Sequence, residues 1–171
     1  MRPHFVSAAR CAAFLALVAC AMVGQFARGA SPPLLEVSGD THAQLALGAT
    51  DLAALPRAKV SVGAEHGTRV DYEGVPAREI LRLAGAPLGK QLRGPNMTTC
   101  VVAGGSDGYQ AVFALAEFDS GFTDQVILVA DHRDGQPLNS REGPLRLIVP
   151  GNKRPARWVR ALTTLRLKNV R

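Results

Sequence analysis

The amino-acid sequence predicts an α+β fold: a strand-rich, mixed β domain with one main helix and two short ones. Three observations carry that expectation. Short runs of alternating apolar and polar residues recur along the chain, as in Ala58-Lys59-Val60-Ser61-Val62 and Thr68-Arg69-Val70-Asp71-Tyr72, which is the pattern of strands half-buried in a sheet. Gly- and Pro-bearing turns punctuate those runs. No strand–helix–strand rhythm of a parallel sheet is present.

The elements follow in order. Residues 34–37 form a short strand closed by Ser38-Gly39-Asp40. Residues 50–56 read as one or two helical turns, capped by Thr50, with Asp51 suiting the first-turn dipole and Pro56 ending it. Residues 58–62 and 68–72 pair as a hairpin across a loop at 63–67. The main helix spans 76–84, with Pro76 at its first position and Gly85 as its C-terminal cap. Ala77, Ile80, Leu81 and Ala84 make its apolar stripe, and Arg78, Glu79 and Arg82 face water. Strands follow at 98–103, 109–115, 126–130 and 145–149, with Asp134-Gly135 as the turn between the last two. The chain closes on a strand at 164–167.

The first thirty residues are read apart. Arg2, His4 and Arg10 make a basic start, residues 11–23 are almost wholly apolar, and polar sequence begins at Ser31. This is the layout of a secretory signal peptide, and the apolar run is too short for a bilayer span. Ala27 and Gly29 suit cleavage after Gly29. Leu17-Val18-Ala19-Cys20 also reads as a lipoprotein box that would leave a lipidated Cys20, although the residues after it are apolar where a lipid tether is polar. The expected organisation is a signal peptide at 1–30 and one domain at 31–171, in the periplasm or secreted, with no transmembrane helix in the mature form.

Removing residues 1–30 leaves 141 residues, enough for one core. Arg2, Arg10 and Arg28 go with the leader and none of the fourteen acids does, so the net charge falls from +6 to +3. That balance argues against a nucleic-acid partner. Of the three cysteines only Cys100 stays in the domain, so no internal disulfide is expected there. Cys100 sits mid-strand and reads as an inert buried thiol. His42, His66 and His132 lie far apart and read as surface loop residues. Gly104-Gly105-Ser106-Asp107-Gly108 lies between two strands, not at a helix start, and is not a dinucleotide loop.

The most specific residues lie in the last third. Asp134-Gly135-Gln136-Pro137-Leu138, Gly143-Pro144-Leu145-Arg146-Leu147-Ile148-Val149-Pro150 and Arg157-Trp158-Val159 occur in that order, after Tyr72-Glu73-Gly74-Val75-Pro76 leading into a helix. This resembles the molybdopterin-binding domain of the sulfite oxidase family, over nearly all of the domain. The resemblance implies that family's fold and, as cofactor, molybdopterin carrying a molybdenum ion. It implies that Arg146 and Arg157 contact the cofactor's phosphate or pterin, a task suited to a bidentate guanidinium. The residues alone leave open that both are solvent-facing, or that Trp158 packs on an arginine. Lys153, Arg154, Arg157 and Arg160 form a basic rim or a solvated face.

The departures from the family are equally specific. Its molybdenum-ligating cysteine falls on Val62-Gly63-Ala64-Glu65-His66-Gly67, which holds no Cys, so no metal ligand is assigned; Glu65 or His66 would have to reach a metal instead. Arg141 stands where the family has a histidine. The N-terminal half of the usual domain, the large dimerisation domain and any haem segment are not found in this sequence. Loss of a thiolate removes metal affinity and redox tuning.

Two functions therefore compete, and whether the protein is an enzyme stays open. One is an exported molybdopterin-binding protein, an accessory domain or small oxidoreductase. The other is a cofactor-free periplasmic module that holds a small ligand or a protein. The expected partners are a small anionic ligand or pterin and a periplasmic redox or signalling protein. The cofactor reading requires Arg146 and Arg157 to face one shared hollow.

Overall fold

The computed structural model describes residues 32–63 and 68–171. The signal-peptide reading and the loop residues Glu65 and His66 lie outside those residues. The strands are β1 (Leu35–Gly39), β2 (Leu45–Leu47), β3 (Ala58–Gly63), β4 (Arg69–Pro76), β5 (Thr99–Gly105), β6 (Gln110–Ala114), β7 (Leu128–Arg133), β8 (Gln136–Pro137), β9 (Arg146–Ile148) and β10 (Leu162–Asn169). Two short helices, α1 (Ala49–Ala53) and α2 (Ala77–Leu83), and four 3-10 turns complete the described residues. No helix among them is long and apolar enough to cross a membrane.

The strands form two sheets. Sheet A runs β2-β1-β10-β5-β6 and sheet B runs β3-β4-β7-β8, with β9 also on β7. β1 pairs with β10 in parallel, and the other ladders are antiparallel. β4 covers one side of β7 along its length, so β8 and β9 share the other. The strand alternation read from the sequence sets which residues go inward. Val37, Val101, Phe113, Leu165 and Leu167 of sheet A meet Val75, Val129 and Leu147 of sheet B in the main core, closed by Ala77, Ile80 and Leu81 of α2. Leu128, Ala130 and Ile148 point to the opposite face of sheet B, where they join Val62, Val70 and Tyr72 in a smaller core. Trp158 packs against both.

Several local expectations are corrected. The cap of α1 is Gly48, not Thr50, because the Asp51 carboxylate accepts the Gly48 N–H at 2.8 Å. Pro76 precedes α2: the β4–β7 ladder extends to Pro76 opposite Leu128 and holds it extended, so Ala77 is the first helical residue. Gly85 has φ +77°, as its capping role requires. Arg78 and Glu79 are half-buried, and only Arg82 of the three is fully exposed. The strand expected at 126–130 lies at 128–133. Asp134 and Gly135, both at positive φ, close a hairpin onto β8, which extends β7 through His132. His132 is thus a strand residue, its Nδ1 2.7 Å from Asp131. Cys100 is partly exposed on the outer face of sheet A, because Thr99, Val101 and Ala103 take the inward positions.

A Cβ on Gly74 would lie 2.1 Å from the Val129 carbonyl oxygen, at the register shift where β4 crosses β7. Backbone cannot yield there, so Gly74→Ala is expected to lower stability by about 1–3 kcal/mol or more. Gly63→Ala, whose Cβ meets nothing within 4 Å among the described residues, should stay within about 0.5 kcal/mol; urea unfolding of both variants checks this. Asp119 is buried, and its carboxylate accepts the N–H groups of Gly89 and Gly121, which hold it below the usual carboxylate range. A carboxyl with a lowered folded pKa stabilises the fold above its unfolded value, near 3.9, and that contribution fades as pH falls through the folded value. Thermal melts at descending pH should show acid lability that is reduced in Asp119→Asn.

Candidate anion-binding site

Arg146 opens β9 opposite Ala130 of β7. Strand alternation turns Leu147 into the main core and Arg146 away from it, toward the smaller core's rim. There Nη1 donates to the Glu142 carboxylate in a short contact and reaches the Tyr72 hydroxyl at 3.4 Å. The two side chains of this ion pair are only 12% and 14% exposed. The guanidinium carbon lies 5.9 Å from the Tyr72 ring centre and 5.5 Å from that of Trp158, and the two rings meet edge-on at 6.1 Å. Trp158 is fixed by its Nε1–H donating to the Val149 carbonyl at 3.0 Å. Arg133 approaches the same tyrosine ring at 5.9 Å and the same glutamate at 3.5 Å. Burial pushes the Tyr72 hydroxyl above its ordinary value, against the pull of Arg146, so it stays neutral and accepts the Arg146 N–H. Arg146 Nε and Glu142 Oε2 are buried without a partner.

Two hollows share Arg146, Arg154, Pro155 and Trp158 as a common wall. One, of about 530 Å³, is bordered by Val62, Gly63 and Tyr72 and carries four cations, Arg133, Arg146, Lys153 and Arg154, with no acid among its described lining. The other, of about 540 Å³, adds Arg160 and Tyr109 and contains one acid, Asp107. Glu142 and Asp134 offset part of the charge of Arg146 and Arg133, and Lys153 and Arg154 beside low-dielectric aromatic walls leave a net positive potential that favours a planar anion.

The expected pairing of Arg146 with Arg157 in one hollow does not occur. Arg157 lines neither hollow. It forks onto Glu117 at 3.0 and 3.1 Å, donates to Asn152 Oδ1 at 2.9 Å, and lies 4.6 Å from the Phe113 ring centre. Arg157 ends a 3-10 turn at Pro155–Arg157, and Trp158 follows it directly. With Trp158 turned toward Arg146, Arg157 turns toward β6. Of the anticipated basic rim, Lys153, Arg154 and Arg160 do line these hollows. Arg141 and Cys100 line neither. No sequence motif marks Glu142 and Arg133, whose roles depend on a loop and a hairpin bringing them to Arg146.

These residues fit the anionic, planar part of a pterin cofactor and do not fit its metal. Val62 and Gly63, where the resemblance places the ligand cysteine, border the 530 Å³ hollow, yet no thiol is there. No three His, Cys, Asp or Glu side chains among the described residues cluster as metal ligands. No redox step is therefore derived from this site.

Glu142 holds the charge that an incoming anion must compete with. Glu142→Gln is expected to strengthen binding of inorganic pyrophosphate roughly fivefold to tenfold, on the order of 1 kcal/mol for one partly screened charge. Glu117→Gln should leave that affinity unchanged, because Arg157 is outside the hollows. Isothermal titration of both variants checks the difference.

The comparisons with known proteins agree with the fold. The family model described as the oxidoreductase molybdopterin binding domain matches residues 34–170. The solved structure of the sulfane dehydrogenase SoxCD from Paracoccus pantotrophus has a similar fold, with a TM-score of 0.62 at 20% identity over 79% of this chain. The match covers 38% of that protein's chain, so this chain spans well under half of its length. No curated protein sequence matches. With the family pattern extending from the first strand to the last, the chain belongs to the oxidoreductase molybdopterin-binding domain family.

Proposed function

We propose that the protein is an exported accessory domain that binds the pterin part of the molybdenum cofactor, or a closely related anionic pterin, in the hollow at Arg146. The observation that carries this reading is the cluster of Arg133, Arg146, Lys153 and Arg154, with no acid among the described lining, beside the rings of Tyr72 and Trp158. A guanidinium already oriented by Glu142 and flanked by an indole offers a planar, cationic surface to a pterin and its phosphate. Family membership supports the class of ligand. The basic, apolar leader at 1–30 supports export, with a periplasmic redox or signalling protein as partner. Turnover is not part of the proposal, since the thiolate that would hold the metal is missing.

A second reading, a cofactor-free module that holds another small ligand or a protein, is favoured by one observation. Both arginines carried over from the family are paired with carboxylates of this chain, Arg146 with Glu142 and Arg157 with Glu117.

The test is to produce the full chain in a host that makes and exports molybdenum-cofactor proteins, then to measure pterin and molybdenum per chain. Near-stoichiometric pterin is the expected result. Folded protein without pterin overturns the proposal and leaves the second reading. Arg146→Ala is expected to weaken pterin retention by about 1.5–3 kcal/mol, the range of a charge-assisted hydrogen bond. Arg157→Ala should leave retention unchanged and lower the melting temperature, through loss of the Glu117 fork and the Phe113 contact.

A further inference from the structure

A second cationic surface lies at the other end of the domain. β10 begins at Leu162, opposite Gly105 and beside the hollow lined by Tyr109 and Arg160, and ends at Asn169, opposite Thr99. Eight strand residues separate the two ends by roughly 25 Å. At the Asn169 end, the turn after β1 and the segment after α2 enclose an open groove of about 930 Å³, lined by Asp40, His42, Lys90 and Arg93 among others. It runs into a second hollow of about 530 Å³ that shares His42, Gly85, Lys90 and Gln91 and adds Arg78 and Arg82.

The backbone builds this groove deliberately from tight turns. Gly85 lets the two walls meet, since a Cβ there would lie 2.7 Å from the His42 Cβ. The buried Asp119 ties down Gly89 through its N–H. The charges are uneven. Among the described residues Arg78, Lys90 and Arg93 make no salt bridge, although Arg78 donates to the Ser120 hydroxyl at 2.9 Å, and Arg82 pairs with Glu79. The one acid in the lining, Asp40, already accepts the Asn169 N–H at 2.7 Å. Lys90 and Arg93 are exposed.

We infer that this groove docks an extended, acidic segment of a partner protein, through Arg78, Lys90 and Arg93. The cations are strung along a groove and do not converge on one point, which suits a chain of carboxylates better than a single small anion. Pro87 and Pro95 supply an apolar floor, and the Gln91 side chain a hydrogen-bonding group for a peptide backbone. Nucleic acid is the weaker occupant. No Phe, Tyr or Trp lines either hollow, so unpaired bases have no stacking platform. The inference is independent of the pterin proposal, which concerns the opposite end.

The test uses a fluorescein-labelled Glu/Asp-rich peptide of roughly ten residues, long enough to span the groove when extended, and the full chain. Anisotropy should report binding that weakens as salt rises. The Lys90→Glu/Arg93→Glu double variant should weaken it roughly tenfold, since each exposed pair contributes a factor of about two to five and reversal adds repulsion. The Lys153→Glu/Arg154→Glu variant, altered at the other end, should bind the peptide as the unaltered protein does. No binding at low salt overturns the inference, as does equal weakening by both variants. Tighter binding of an oligothymidylate or of phosphatidylserine vesicles, lost in Lys90→Glu/Arg93→Glu, also overturns it by assigning the groove to another class of partner. Circular dichroism confirms that both variants are folded.

Discussion

The passage of the chain from sheet B to sheet A, through Trp158, fixes everything else at the candidate site. β9 ends in sheet B and β10 begins in sheet A, so the segment between them must cross the gap while keeping its backbone groups paired. It does so with a ladder of isolated hydrogen bonds: Leu147 N–H to the Val159 carbonyl, Leu162 N–H to the Leu145 carbonyl, and Ala161 N–H to the Glu142 carbonyl. Trp158 fills the space between the two cores, and its indole N–H is satisfied by Val149. Once the indole is placed, Arg146 has an aromatic wall. Glu142 is held by its backbone beside it, and Arg157, at the end of the 3-10 turn before Trp158, reaches Glu117 and Asn152 instead.

That geometry explains which parts of the site could be read from sequence. A period of two puts Leu147 and Arg146 on opposite faces of β9, but Ile148 on the face of Arg146 is buried as well, so the residues alone left open whether Arg146 meets solvent. The motif around Gly74 was visible as a pattern, and the close crossing of β4 over β7 supplies its reason. The Asp134-Gly135 turn was legible in kind but not in position. Two residues at positive φ demand a tight hairpin, and only the register reveals that its second strand is the two-residue β8. Glu117 and Arg157 meet across 40 residues of sequence, and no local spacing encodes such a pair. Glu142 stands four residues before Arg146, a spacing that would signal contact on a helix but carries no signal in a loop.

The arginine pairings change what the family resemblance can mean for this chain. A guanidinium free in a hollow binds an anion at the cost of desolvation alone. One already bonded to a carboxylate must share or exchange that partner, so the net gain is a difference between two similar interactions. Arg146 retains scope for sharing, because its Nε is unpartnered and Arg133 also neutralises Glu142. Arg157, with both terminal nitrogens engaged by Glu117 and Asn152, has none. The same motif position can therefore keep its residue type while its task shifts from holding a ligand to closing the edge of β6.

Net charge hides this division of labour. The domain at 31–171 carries only +3, yet Lys153, Arg154 and Arg160 at one end and Lys90 and Arg93 at the other make no salt bridge among the described residues, while Lys59 is paired with both Asp71 and Glu73 along β3 and β4. Attraction between a protein and an anion depends on the local field, which screening confines to about 8–10 Å at moderate salt. Surfaces roughly 25 Å apart along β10 therefore act independently. The walls then decide what each attracts: two aromatic rings and a deep, partly buried arginine at one end select a flat ligand, whereas open turns and exposed, flexible cations at the other select a chain.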